Sequence, residues 1–324
     1  MRISFTILLA VLLASLTACE SLINEVDPDR LPTIDEKLVV QCFISPQDTL
    51  LMATVSRSRA VLGSGQGGVV GASRVVLSEG NRSIVMTFDE KLLAFVADPR
   101  QFPIEAGKTY HLRAELDKQV VTASCTVPEA VPITSVKLDS TRETSPFWSQ
   151  QFPWVYETRL SWQDPGHEAN YYRVAGEASL SQWVTLNRYI PNQTAPDTLV
   201  RFVTMRSPVF FNTVQQYLSD RNQNGQSITS PKGIIPNNLH FTYYDRASNT
   251  YFGGYASISR RPVTLTLMLL HVDKNYYDYH RTLQQQNDIE GNPFSEPVLV
   301  ATNIEGGLGC FAAYNRSALA VTLK

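Results

Sequence analysis

The feature that most narrows the fold is a set of short segments in which apolar and polar residues alternate with a period of two. In "TYHLRAEL", Tyr110, Leu112, Ala114 and Leu116 fall on one side, and His111, Arg113 and Glu115 on the other. That is the signature of a strand with one face buried and one wet. "LLMATVSRS" repeats it with Leu51, Ala53 and Val55. "KLVVQCFIS", "SRVVLSE", "RSIVMTF", "LLAFVA" and "QVVTASCTV" are further short apolar or β-branched runs, separated by Gly, Asn, Asp or Pro turns. Seven such segments within about 90 residues, with no helical stripe among them, predict an immunoglobulin-like sandwich over 37–128.

Behind it, "VPEAVPITSVKLDSTRETSPFWSQQFP" is rich in proline and polar residues, so a linker is expected over 129–150 and a second domain over 151–324. "WVYETRLSWQD", "NYYRVAGEA", "LHFTYYDR" and "PVTLTLMLLHV" read as its strands. In the last, Val263, Leu265, Leu267 and Leu269 alternate with Thr264, Thr266, Met268 and Leu270, which predicts a strand covered on both faces. "KNYYDYHRTLQQQND", residues 274–288, carries Tyr276, Tyr279 or His280, and Leu283 at helical spacing. The expected fold class is therefore mainly β, a sandwich followed by a mostly-β domain with one helix.

The N-terminus has a different character. Arg2 is the only charge before Glu20, and Ile7 to Leu13 is continuously apolar. This is the layout of a secretory signal, too short for a comfortable membrane span, which takes about 20 residues. Leu16-Thr17-Ala18-Cys19 resembles the bacterial lipobox, which implies cleavage after residue 18 and a lipid on Cys19, the new N-terminus. Two acyl chains hold a protein stably at a membrane, one only marginally. Residues 19–36, acidic and carrying Pro28 and Pro32, read as a tether. Glu20, Glu25, Asp27 and Asp29 are too dispersed to match the acidic export signal of some Bacteroidetes surface lipoproteins. Without residues 1–18 the balance of 28 basic to 30 acidic residues becomes 27 to 30. A net charge of that sign favours neither nucleic acid nor an anionic membrane surface. Apolar content of 43% with 18% charged residues is that of a chain able to bury a core.

"NPFSEPVLVATNIEGGLGCFAAYNRS", residues 292–317, resembles the C-terminal signature of the DUF4249 family of Bacteroidetes lipoproteins. "LSWQDPGHEANYYRV" is similar to that family's middle motif, where Asp164-Pro165-Gly166 turns into Tyr171-Tyr172-Arg173. "KLVVQCFIS", "VVGASRVVLSE" and "EAGKTYHLRAEL" resemble its N-terminal half, which in turn looks like the transthyretin-type folds of carboxypeptidases. Cys42 departs from the pattern, standing where the family more usually has glycine. The resemblance implies an outer-membrane lipoprotein, often encoded beside a TonB-dependent receptor, with no established catalytic residues.

Local motifs for chemistry are sparse. Cys42, Cys125 and Cys310 are widely spaced and form no C-x-x-C, so zinc and thioredoxin-like chemistry lack support. Buried thiols are the favoured reading, with a Cys42–Cys125 disulfide the alternative. "GSGQGG", Gly63 to Gly68, matches G-x-G-x-x-G but leads into a strand rather than a helix, so it reads as a loop. In "DRNQNG", Asp220, Asn222 and Asn224 match the first half of a calcium loop, but its twelfth position is Pro231 in place of a bidentate Glu. A polar turn is the better reading, with calcium the weaker one, and no metal or cofactor is expected. There is no G-x-S-x-G, no H-E-x-x-H, and the histidines His111, His167, His240, His271 and His280 are scattered, although a fold could gather His271 and His280 with Asp273 and Asp278. The second half is rich in aromatics, most of them core. "SNTYFGGYAS", residues 248–257, is expected to be a glycine-loosened loop presenting Tyr251, Phe252 and Tyr255 to a partner. Two functions remain. One is a non-enzymatic outer-membrane lipoprotein, accessory or ligand-capture partner of a TonB-dependent receptor. The other is a lipid-anchored hydrolase of glycans or peptides whose carboxylates only a structure would reveal.

Overall fold

Alternation in the first half becomes strand at every segment where it was read. The computed structural model describes residues 36–58, 68–142, 154–166, 168–188, 197–246, 249–258, 262–289, 292, 294–296 and 298–323. The first seven strands are β1 (Leu38–Ile44), β2 (Leu51–Arg57), β3 (Arg74–Glu79), β4 (Arg82–Asp89), β5 (Ala94–Ala97), β6 (Thr109–Leu116) and β7 (Gln119–Thr126). β1, β2 and β5 pair in one layer and β3, β6 and β7 in the other. β4 serves both, because residues 82–86 pair with β3 and residues 87–89 with β5. Tyr110, Leu112, Ala114 and Leu116 turn inward as their spacing requires, joining Val40, Ile44, Leu51, Val55, Leu77 and Phe95 in one core. Cys42 and Cys125 are free, buried thiols in that core, and Cys310 is a third elsewhere. Burial pushes all three well above the ordinary thiol pKa.

The second half supplies β8 (Ile133–Arg142), β9 (Trp154–Gln163), β10 (Tyr171–Arg188), β11 (Asp197–Pro208), β12 (Phe210–Phe211), β13 (Tyr217–Ser219), β14 (Ser227–Thr229), β15 (Gly233–Ile235), β16 (Asn238–Asp245), β17 (Thr250–Ser257), β18 (Val263–Val272), the helix α1 (Lys274–Ile289) and β19 (Leu308–Leu323). The protein is mainly β, with one helix among the described residues. A five-stranded sheet runs β12-β15-β9-β14 with β8 on β9, and it faces the sheet β17-β16-β11-β10-β18-β19. Between them lie Leu160, Trp162, Tyr172, Val174, Met205, Leu265, Leu267 and Leu269. β8 falls within the stretch expected to be a linker. Ile133, Val136 and Leu138 pack on this core, and nine residue pairs join β8 to β9, so the prolines at 128 and 132 precede a strand rather than an open spacer.

β19 joins the two halves. Its outer part pairs antiparallel with β18 from Val272↔Tyr314 to Val263↔Leu323, and its inner part pairs parallel with β1 from Val39↔Leu308 to Ile44↔Ala313. The result is a 14-stranded sheet running from β17 to β7. Lys37–Arg57 and Gly68–Lys324 fall in one compact unit, while the other, Met1–Glu36 with Ser58–Gly67, has only Glu36 and Ser58 among the described residues. β19 also explains why its neighbours are apolar on both sides. Phe311 and Ala313 enter the first core, whereas Cys310 and Ala312 face α1 together with Leu270 and Val272.

α1 begins at Asp273, whose Oδ1 accepts the Tyr276 N–H at 2.8 Å, the N-cap bond that satisfies a free donor of the first turn. Its other oxygen is buried without a partner. Burial pushes the Asp273 carboxyl up to about 7. An acid whose pKa is higher folded than unfolded binds its proton more tightly in the native state, so its stabilisation is complete below the ordinary carboxyl range and is lost as pH rises through about 7. Asp273→Asn keeps the cap and removes the charge. The variant should match the wild type near pH 4 and exceed it by about 4 kcal/mol at pH 8, judged by denaturation at the two pH values. Parallel stability profiles for the two proteins would show that Asp273 does not titrate in this way.

Candidate functional site

Two tight turns meet back to back beneath an open cleft. The first follows β9 at Asp164-Pro165-Gly166, and the second is the loop 220–225 between β13 and β14. Gly166 (φ +76°) and Gly225 (φ +70°) sit so close that a Cβ on Gly166 would lie 2.8 Å from Gly225 Cα. Only glycine gives both the left-handed backbone and the missing side chain that this approach needs. Asp164, only 2% exposed, ties the turns together. Its Oδ2 accepts the N–H of Gly166 at 3.1 Å and of Gly225 at 2.7 Å, and its Oδ1 accepts the Tyr172 hydroxyl at 2.6 Å. Burial, then the Asp164 carboxylate, pushes the Tyr172 hydroxyl well above the ordinary phenol range. The Tyr172 ring stacks on His271 at 5.1 Å, and His271 Nε2 lies 2.9 Å from Asn170 Oδ1. Asn170 Nδ2 in turn donates to Asp220 Oδ2 at 3.4 Å. Asp220 is thereby held inside while its neighbours Arg221, Asn222 and Gln223 are turned outward.

The cleft has a volume of about 880 Å³ and is lined from several elements. β9 contributes Arg159, the 220–225 loop contributes Arg221, Asn222 and Gln223, and α1 contributes Tyr277 and Arg281, with Tyr217 of β13 forming a wall. Arg159 Nη1 donates to the Ser230 carbonyl at 3.3 Å. Arg281 Nη1 donates to the Tyr277 hydroxyl at 2.8 Å, with its guanidinium 5.6 Å from that ring's centre. Among the described residues none of the three arginines makes an ion pair, and no acidic side chain lines the cleft. Tyr217 is fixed from behind: the Arg173 guanidinium lies 5.6 Å from its ring centre and His280 stacks parallel at 5.9 Å. Burial and then the Arg173 charge hold His280 down to about 4, so it is a neutral ring at ordinary pH. A second cleft, of about 730 Å³ on the first sandwich, differs electrostatically. Its one arginine, Arg100, is neutralised by Asp98 at 2.7 Å.

The residues singled out in the sequence are dispersed. Cys19, the signal segment and most of the tether lie outside the described residues, as do Gly63, Gly65 and Gly67 of the glycine run and His167. The segment expected as a presenting loop is instead β17, paired with β16 along Asn238↔Ser257 to Asp245↔Thr250. Its glycines belong in a strand because the Phe241 ring covers Gly254, where a Cβ would lie 2.6 Å from the ring edge. Strand alternation then separates the candidate residues. Tyr251 is 72% exposed beside Tyr244, whereas Phe252 is buried, and Tyr255 pairs through its backbone with His240. Of the candidate calcium ligands, Asp220 turns inward to Asn170, Asn222 lines the cleft, and Asn224 lies against Gly166. His271, on β18, stacks on Tyr172 at the second core, whereas His280, on α1, packs on Tyr276 in the helix layer, so the fold does not gather the two. No group of three His, Cys, Asp or Glu suited to a metal is found among the described residues. Sequence reading missed Arg159, Arg221 and Arg281, because 122 positions separate the first from the last and none belongs to a local motif of cation chemistry.

Fold and site together define a mainly-β, sandwich-like protein with an open cationic cleft on its second half. A family model described as a domain of unknown function, DUF4249, matches residues 23–319, and the chain belongs to that family. No curated protein and no solved structure matched it.

Proposed function

We propose that the protein is a non-enzymatic lipoprotein, tethered to the outer membrane through Cys19, that captures a ligand as the accessory partner of a TonB-dependent receptor. The observation that carries the capture reading is the cleft. Three arginines without ion-pair partners, one each from β9, the 220–225 loop and α1, meet a tyrosine wall already braced by Arg173 and His280, where binding costs little ordering. The lipobox-like Leu16-Thr17-Ala18-Cys19 supports the anchor, and the family resemblance supports the receptor. No helix among the described residues is long and apolar enough to cross a membrane. Cys19→Ala should yield an unprocessed or soluble protein that takes up no labelled fatty acid. Continued membrane retention with acyl labelling would overturn the anchor. Affinity purification of the wild type from its native membrane should recover a β-barrel receptor, and recovery of none would overturn the partnership.

A further inference from the structure

We propose that the arginine-lined cleft takes a small polyanion, a molecule bearing two or more carboxylate or phosphate groups. This rests on the capture reading and names the class of ligand captured. Guanidinium is the planar, permanently charged fork that matches both anions, and the cleft receives one from each of three elements: Arg159 from β9, Arg221 from the 220–225 loop and Arg281 from α1. Several arginines elsewhere are neutralised: Arg82 pairs with Glu79, Arg100 with Asp98 and Arg113 with Glu115. Acidic residues outnumber basic ones, 30 to 28, yet none lines this surface. A cleft lined by one sign of charge focuses the field and raises the local concentration of its counter-ion.

The underlying network sets the geometry. Asp164 pins the backbone of the 220–225 loop through Gly225, and Asn170 holds Asp220 inward, so the one carboxylate of that loop is turned from the arginines it would otherwise neutralise. Asn222 and Gln223 add uncharged donors beside Arg221. Three guanidinium groups drawn from three elements around about 880 Å³ favour a ligand with several anionic groups over a single small ion.

The test is titration calorimetry on the full chain in detergent, with citrate as the carboxylate probe, pyrophosphate as the phosphate probe and maltotriose as the neutral control. One or both anions should bind at a single saturable site that weakens at high salt, and maltotriose should give no heat. Arg221→Gln with Arg281→Gln should weaken binding at least tenfold, about 1.4 kcal/mol, with an unchanged melting temperature. Arg74→Gln, on β3 of the other sandwich, should bind as the wild type does. Which anion binds identifies the chemistry. If neither binds the wild type, or if Arg74→Gln weakens binding as much as the cleft variant, the ligand class is overturned even where a receptor still co-purifies. Pyrophosphate recovered hydrolysed in proportion to bound protein would overturn the capture reading and leave the anion site standing.

Discussion

Gly309→Ala is expected to destabilise the protein by about 4 kcal/mol or more, a large part of the stability of an ordinary domain. Gly309 lies on β19 opposite Val40, where the last strand joins the first in parallel. Its φ is +105°, outside the regions open to residues with a side chain, and a Cβ there would stand 2.1 Å from the Val40 carbonyl oxygen and 2.8 Å from its carbon. Those atoms are backbone within a paired strand, so they cannot rotate away as a side chain would. Relief requires β1 and β19 to separate, and that disturbs both faces of the seam, Phe311 and Ala313 on one side and Cys310 and Ala312 on the other. Gly80→Ala is the control: its φ is +53°, but nothing lies within 4 Å of the added carbon. It should cost about 1 kcal/mol, the backbone term alone. Denaturant titration of both variants decides the matter, and equal losses would mean that the seam tolerates the extra carbon.

The second large effect is expected at Asp164. Asp164→Ala removes the acceptor for three donors, the buried Tyr172 hydroxyl and the N–H groups of Gly166 and Gly225 in the two turns. Tyr172 has no solvent exposure, so water cannot replace what is lost without opening the core. Losing a charged acceptor and leaving a buried hydroxyl unpaired costs about 3 kcal/mol. Tyr172→Phe removes one of the three bonds and leaves the backbone pair, so about 1 to 2 kcal/mol is expected. The double variant should cost little more than Asp164→Ala alone, because the two residues share one bond; strict additivity would argue against the network. Asp164→Ala should also weaken anion binding, since the loop bearing Arg221 loses its anchor through Gly225.

These two residues mark how far the sequence is legible. Gly309 stands in "EGGLGCFAAYN" and Asp164 in "WQDPGHEANYY", both of them stretches that carry the family resemblance, so their weight was visible although their reasons were not. The reason for Gly309 is a strand nearly 270 positions earlier in the chain. The reason for Asp164 is a turn at 225 that reads on its own as an ordinary polar loop. The 248–257 segment shows the converse. Two adjacent glycines suggest a loop, but Phe241 from the neighbouring strand fills the space above Gly254 and makes a strand favourable.

Local periodicity and local steric rules reach a definite part of this protein. They give the mainly-β class, the seven N-terminal strands, the faces of β18 and the helix at 274–289, because alternation and helical spacing are properties of neighbouring residues. Three features came instead from the way distant segments fold together. β19 completes the N-terminal sheet, residues 133–142 pair with β9, and Arg159, Arg221 and Arg281 line one cleft without carboxylates. Strand partners and charge clusters depend on which remote segments meet, and hydrogen bonds between strands carry almost no mark of partner identity in either sequence. Nothing in the neighbourhood of an arginine tells whether folding will bring it a carboxylate or leave its charge facing an open cleft.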